Sequence, residues 1–351
     1  MTATESPNKP QIFCIQDLMD AASEKLTQAY RDFYNGGAMD GLTLRLNEAA
    51  YDRYFIRQRV LRDVSNIDTS ATLWGAKTAF PFGLSPSAMH QLAHPDGEVG
   101  TSQACAARRV PMILSGLSNN TLEDVSAQSA DASTPYAINI APFKDRRITS
   151  NVLVRAKDAG YKAAVLTVDA PVFGRRLEDL RNGFRMPAGI KFPNLSADVP
   201  SANGDAGAGL PDLSFVTSAE DVALAIQHGL DGVFISNHGG RQLDGAPATI
   251  DILREVAPIA KGKIKIAVDG GIRRGSDIFK AIALGADFVF AGRIAVWGLA
   301  YDGSNGVGIA LDILLQEFRL CMGLAGCSKV ADITPAHLSV LSSNGLLEKV
   351  Y

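Results

Sequence analysis

From about residue 80 onward, short apolar runs alternate with amphipathic stretches, and this repeat limits the fold more than any other feature of the chain. The apolar runs read as strands at 81–85, 112–115, 136–140, 164–169, 232–236, 264–269 and 288–292. Stretches between them, such as 148–159, 219–228 and 276–284, space their apolar residues as a helix does. The last of these starts on Ser276 as an N-cap and stops before Gly285. Strand starts recur roughly every 25 to 35 residues, the period of βα units that close into a (β/α)8 TIM barrel of about 250 residues. The expected class is therefore α/β.

One interval breaks the rhythm. Between 169 and 232 there is room for two units but only one clear helix, 219–228. Residues 176–212 are rich in Pro, Gly, Ala, Asn and Asp and read as a mobile loop, with 213–216 the one candidate for a fifth strand. The barrel is thus expected with its fifth strand poorly formed or missing. Ahead of it, 15–33 and 43–54 read as helices on either side of the Asn35-Gly36-Gly37 break. They form an N-terminal helical cap over 13–75, joined to the barrel at 76–351 in a single domain, 13–351. A further helix is expected at 307–322, and the polar start, 1–12, is expected to be frayed.

Composition narrows the function. A formal net charge of −3 and the absence of a basic run with interleaved aromatics argue against nucleic acid as a partner. Cys14, Cys105, Cys321 and Cys327 are too scattered for a disulfide framework or a metal site and read as reduced thiols, so no metal is expected. No apolar run approaches the roughly 18 residues of a membrane span. Cytoplasm is the expected location, with the peroxisome not excluded.

Barrel active sites gather at the C-terminal ends of the strands, and four such ends carry matching chemistry. Ser236 to Asp244, SNHGGRQLD, offers an imidazole in His238 and a guanidinium in Arg241 on one turn. A proton acceptor beside a planar anion clamp suits removal of a proton from a carbon next to a carboxylate. The strand at 164–169 ends on Asp169, able to orient a histidine, and Arg176 follows as a second clamp. The sixth and seventh strand runs lead into Asp269-Gly270-Gly271-Ile272-Arg273 and Gly292-Arg293. Glycine turns with arginines and a helix N-terminus at the last two strands make a phosphate cradle.

These motifs, with LTVDAP followed by GRR and the front segments NEAAYDRY, LSPSAM and AHPDGE, resemble the FMN-dependent 2-hydroxy acid oxidase and dehydrogenase family from about residue 13 to 335. The resemblance implies FMN at the C-terminal face of a (β/α)8 barrel. It implies His238 as the base that takes the substrate proton, paired with Asp169, and Arg241 and Arg176 as holders of the substrate carboxylate. Pro86, Ser87, Ala88, Ser115, Asn139, Thr167 and Ser236 would line the flavin. Asp269, Gly270, Gly271, Ile272, Arg273, Gly292 and Arg293 would hold its ribityl phosphate. Oxygen or a carrier protein would accept the electrons, and the assembly would be a homotetramer or larger.

The sequence departs from the family's pattern at several of its site positions. Phe33 and Ala141 stand where the family has substrate-facing tyrosines, Asn139 stands for a glutamine, and Leu117 for a bulky aromatic. The fifth-strand lysine that faces the flavin has no counterpart. A hydrogen bond to a charged group contributes roughly 1.5–3 kcal/mol, so two lost hydroxyls weaken binding of a small hydroxy acid by roughly two to four orders of magnitude. The pocket becomes wider and less polar. A large 2-hydroxy acid, or a 2-amino or cyclic imino acid in a secondary-metabolite tailoring step, is the expected substrate. A catalytically impaired flavin-binding protein with a structural or regulatory role is the alternative.

Overall fold

All seven apolar runs form strands of one parallel sheet. The computed structural model describes residues 10–129, 133–141, 143, 145–195 and 217–351. Its sheet contains β1 (Phe82–Leu84), β2 (Met112–Ser115), β3 (Tyr136–Ile140), β4 (Ala163–Leu166), β5 (Gly232–Ile235), β6 (Lys265–Val268) and β7 (Phe288–Ala291). The spatial order is β4-β3-β2-β1-β7-β6-β5, which is chain order followed around a ring with β1 against β7. Register is continuous: Leu84 pairs with Met112, Met112 with Tyr136, Ala137 with Ala163, Val289 with Phe82, and Gly232 with Lys265.

β2, β3 and β7 are buried at every residue, which is why they read as largely apolar runs. β4 and β5 are the edge strands among the described residues; β5 mixes buried with accessible positions, and no residue of β4 is fully buried. Leu166, closing β4, is 44% exposed. The ring follows a (β/α)8 barrel, with β4 and β5 not paired to each other among the described residues. The candidate fifth strand at 213–216 lies outside the described residues.

The helices are α1 (Ile15–Lys25), α2 (Gln28–Asn35), α3 (Leu42–Ala49), α4 (Gly97–Arg108), α5 (Leu122–Ser126), α6 (Arg146–Asp158), α7 (Leu177–Arg181), α8 (Ala219–Gln227), α9 (Thr249–Ala260), α10 (Gly275–Leu284) and α11 (Arg293–Ala325). Two cores result from the alternation of side chains along each strand. Inside the ring, Ile113, Ala137, Phe288 and Phe290 pack together with Phe234 and Trp74. Gly83 makes room there, because a Cβ at that position would lie 2.7 Å from the Phe290 ring. Outside the ring, the larger core fills the space between strands and helices.

Several elements differ from the sequence expectation. The expected helix 15–33 is two helices, because Leu26 leaves helical backbone and the Thr27 hydroxyl accepts from the Tyr30 amide to start α2. The expected helix 307–322 is the second half of α11, which breaks at Asp302 and Gly303. Residues 10–12 are tied down rather than frayed: the Pro10 carbonyl accepts from the Tyr301 hydroxyl at 2.7 Å, and Ile12 packs on the core. The stretch 176–212, expected to be loop throughout, contains α7. Within it Phe184 and Phe192 also pack on the core, and Asn194 donates to the Ser118 hydroxyl at 2.7 Å. A strand at Tyr54–Ile56 pairs antiparallel with Leu338–Leu341 and joins the two ends of the chain, a pairing that local periodicity does not signal.

Candidate active site

β5 ends on Ile235, and the chain turns at once into a short 3-10 segment, His238–Gly240. His238 has φ +58°, a left-handed backbone that costs a side-chain-bearing residue about 1–2 kcal/mol. Local hydrogen bonds hold it there. The His238 amide donates to Ser236 Oγ at 3.1 Å, and Asn237 Oδ1 accepts from the Gly240 amide at 3.2 Å. This strained turn brings imidazole Nδ1 to 3.3 Å from Asp169 Oδ1, just beyond β4. The Asp169 side chain is 6% exposed and that of His238 39%, so the carboxylate sits behind the ring and the ring faces outward.

A second carboxylate lies in the same group. Asp269, following β6, accepts from Ser85 Oγ at 2.7 Å, and burial holds its carboxyl above the usual range against the Ser236 and Ser85 hydroxyls. Asp169 Oδ2 and Asp269 Oδ1 are both buried without a hydrogen-bond partner, an unfavourable state that a bound donor would relieve.

Three guanidiniums gather at the end of α2. Arg241 Nη1 donates to the carbonyls of Phe33 and Gly36 at 2.6 and 3.1 Å, and its charge lies 5.0 Å from the centre of the Phe33 ring. Arg176 stands 5.8 Å from the same ring and pairs with Asp179 at 2.6 Å. Arg293 donates to the carbonyls of Tyr34, Gly239 and Gly36 at 2.8, 3.0 and 3.0 Å. Burial depresses Arg241 well below the usual arginine range, and Arg176 and Arg293 depress it further. Burial and Arg273 push Arg293 down to about 10. Depressed, clustered cations are stabilised by an anion placed among them.

The turn after β6 is built for close approach. Gly270 and Gly271 have φ +94° and +80°, and a Cβ at Gly271 would fall 2.0 Å from the Asn47 carbonyl. Arg273 stacks over Trp297 at 4.8 Å and pairs with Glu48 at 2.5 Å. Gly292 lies against Ser87, whose hydroxyl would be 2.9 Å from an added Cβ. Positive-φ glycines, buried arginines with carbonyl partners and orphaned carboxylate oxygens fit a phosphorylated, hydroxyl-rich cofactor such as FMN.

The remaining expected residues divide. Asn139 donates to Thr167 Oγ1 at 2.8 Å, and Ser115 Oγ accepts from the Leu117 amide at 3.1 Å, both at strand ends. Pro86, Ser87 and Ala88 form the half-buried loop after β1. The Ile272 side chain is wholly buried in the core, which leaves only its backbone to face a ligand. Sequence reading missed Ser85, although it occupies a strand end. It also missed Asp179, the near neighbour that pairs with Arg176, and Asn47 and Phe184, whose importance arises from partners far along the chain.

Known proteins resemble this chain over nearly its whole length. A family model described as FMN-dependent dehydrogenase matches residues 22–210 and 215–340. Oxidase FUB9 of Fusarium oxysporum f. sp. lycopersici is 68% identical over 98% of this chain and 95% of its own length. The peroxisomal (S)-2-hydroxyacid oxidase GLO4 of Arabidopsis thaliana is 41% identical over 93% of this chain and 96% of its own. A crystal structure of mandelate oxidase superposes with a TM-score of 0.85 at 34% identity, covering 93% of this chain and 98% of that one. The alignment with the Fusarium protein spans 369 positions, more than the 351 residues of this chain, so that relative has residues that this chain lacks. The family match itself breaks between 210 and 215.

Proposed function

The chain belongs to the FMN-dependent dehydrogenase family, and on that premise we propose that it oxidises the carbon beside a carboxylate in a substrate bulkier and less polar than the short 2-hydroxy acids. The carrying observation is the contact of His238 Nδ1 with Asp169 at 3.3 Å, next to the group formed by Arg241, Arg176 and Phe33.

In this reading Arg241 and Arg176 hold the carboxylate, and the Phe33 ring between them offers an apolar face in place of a hydroxyl donor. His238 removes a proton through Nε2, and Asp169 stabilises the imidazolium from the Nδ1 side. The substrate loses two electrons and two protons overall, and a 2-hydroxy acid becomes a 2-oxo acid. FMN, when bound, supplies the acceptor for the electron pair. Ser87, Gly270, Gly271, Arg273, Gly292 and Arg293 would hold it, with Asp269, Ser236, Asn139, Thr167 and Ser115 along its length. Oxygen or a carrier then takes the electrons away. In this reading the enzyme acts in the cytoplasm as a homotetramer or larger assembly, in a tailoring step of secondary metabolism.

The test is spectroscopic. Purified protein is expected to show oxidised-flavin absorbance that bleaches anaerobically with an aryl or long-chain 2-hydroxy acid, or with a 2-amino or cyclic imino acid, faster than with lactate. Flavin that no carboxylate of this panel bleaches would favour a second reading, a flavin-binding protein without turnover. The family's two substrate-facing tyrosines are Phe33 and Ala141 here, which supports that alternative.

A further inference from the structure

Asn47 lies on α3, far along the chain from the strand ends that carry the chemistry, and is 1% exposed. Its Nδ2 donates to Asn237 Oδ1 at 2.8 Å, and Asn237 Nδ2 donates back to Asn47 Oδ1 at 2.8 Å. Two buried amides thus satisfy each other in a closed pair, which fixes both position and rotation of each. Asn237 is the residue immediately before His238. Its remaining bonds, from the Gly240 amide at 3.2 Å and to the Pro247 carbonyl at 3.0 Å, shape the turn that holds His238 at φ +58°.

The same residue reaches the cofactor turn. The Asn47 carbonyl occupies the space a Cβ at Gly271 would need, and its Oδ1 also lies 3.4 Å from the Thr249 amide at the start of α9. The Thr249 hydroxyl in turn donates to the Asp269 carbonyl. One side chain and its own carbonyl therefore touch both the base-bearing turn and the phosphate turn. α3 lies flush between them, with its Thr43 amide held by Asp244 Oδ1 at 2.8 Å from the far end of the His238 loop.

We propose that Asn47 is a positioning residue: its amide pair with Asn237 fixes the aim of the His238 imidazole and its distance from the cofactor turn. Its side-chain bonds go to Asn237 and Thr249. This inference rests on His238 acting as the base, but its structural half, control of the His238 turn, does not.

Asn47→Ala and Asn47→Asp test it in flavin-loaded protein. Alanine removes the pair, whereas aspartate keeps the shape and sets an oxygen against Asn237 Oδ1. With a substrate that bleaches the flavin, kcat per bound flavin is expected to fall about a hundredfold, the scale of a displacement near 1 Å, with KM little changed. Independently of turnover, the ring NMR signals of His238 are expected to move while those of His90, His94, His228 and His337 keep their places. Unchanged His238 signals in both variants would overturn the proposal even if no substrate were found. Lower stability or flavin content with unchanged kcat per flavin would do so as well, since Asn47 would then be structural only. If His238 moves and kcat per flavin is unchanged, positioning for catalysis is also overturned and His238 is not the base.

Discussion

At the scale of single residues, the site is defined by what surrounds each charge. Phe33 is the clearest case: its carbonyl accepts from Arg241, its ring underlies Arg241 and Arg176, and Phe184 stacks on it with centroids 4.6 Å apart. Phe33→Tyr adds a hydroxyl next to the two guanidiniums that are proposed to hold the carboxylate. KM for a short 2-hydroxy acid is expected to fall roughly 10- to 100-fold with kcat little changed, the value of one hydrogen bond to a charge. Steady-state kinetics on lactate and a bulkier acid measure it, and equal effects on both would show that Phe33 does not select by size. His238→Asn is expected to retain flavin absorbance while slowing anaerobic bleaching by about 10²–10⁴, the usual contribution of a general base. His238, Arg241 and Asp169 were legible because they stand at strand ends. Asn47 was not, because a buried asparagine on a helix carries no local signal until its partner 190 residues away is in place.

At the scale of elements, the strands differ in how much of their surface is covered. β3 is buried at all five residues between β2 and β4, whereas β4 has one neighbour among the described residues. Ile138→Ala in β3 is therefore expected to cost about 2–5 kcal/mol, the range for a fully packed site. Leu166→Ser at the edge is expected to stay within roughly 0.5 kcal/mol. Urea unfolding of the two variants compares them, and similar losses would mean that the β4 edge is covered in solution. Apolar periodicity made all seven strands readable. The break at Thr27 was less readable, because apolar spacing continues across it through Leu26 and Tyr30 and only the cap marks the interruption.

At the scale of the whole molecule, the buried arginines of the site form an unfavourable charge cluster that an anion relieves. Arg241, Arg273 and Arg293 are all depressed by burial, and Arg241 and Arg293 also by neighbouring arginines. Protein stripped of flavin is expected to melt at higher temperature in phosphate than in chloride of equal ionic strength. FMN at a hundred times its Kd should add about 2.7 kcal/mol. Arg293→Gln should remove most of both effects, and calorimetry that finds phosphate and chloride equivalent would count against an anion site. By itself the sequence determined the strand order, the class of fold and the strand-end chemistry, because burial on both faces and glycine turns leave their mark on neighbouring residues. Only the tertiary structure decided which groups meet: the Asp169 carboxylate behind His238, the Phe33 ring beneath two guanidiniums, and Asn47 between two turns. Those meetings bring residues up to 208 positions apart within hydrogen-bond reach, and no local pattern encodes such a distance.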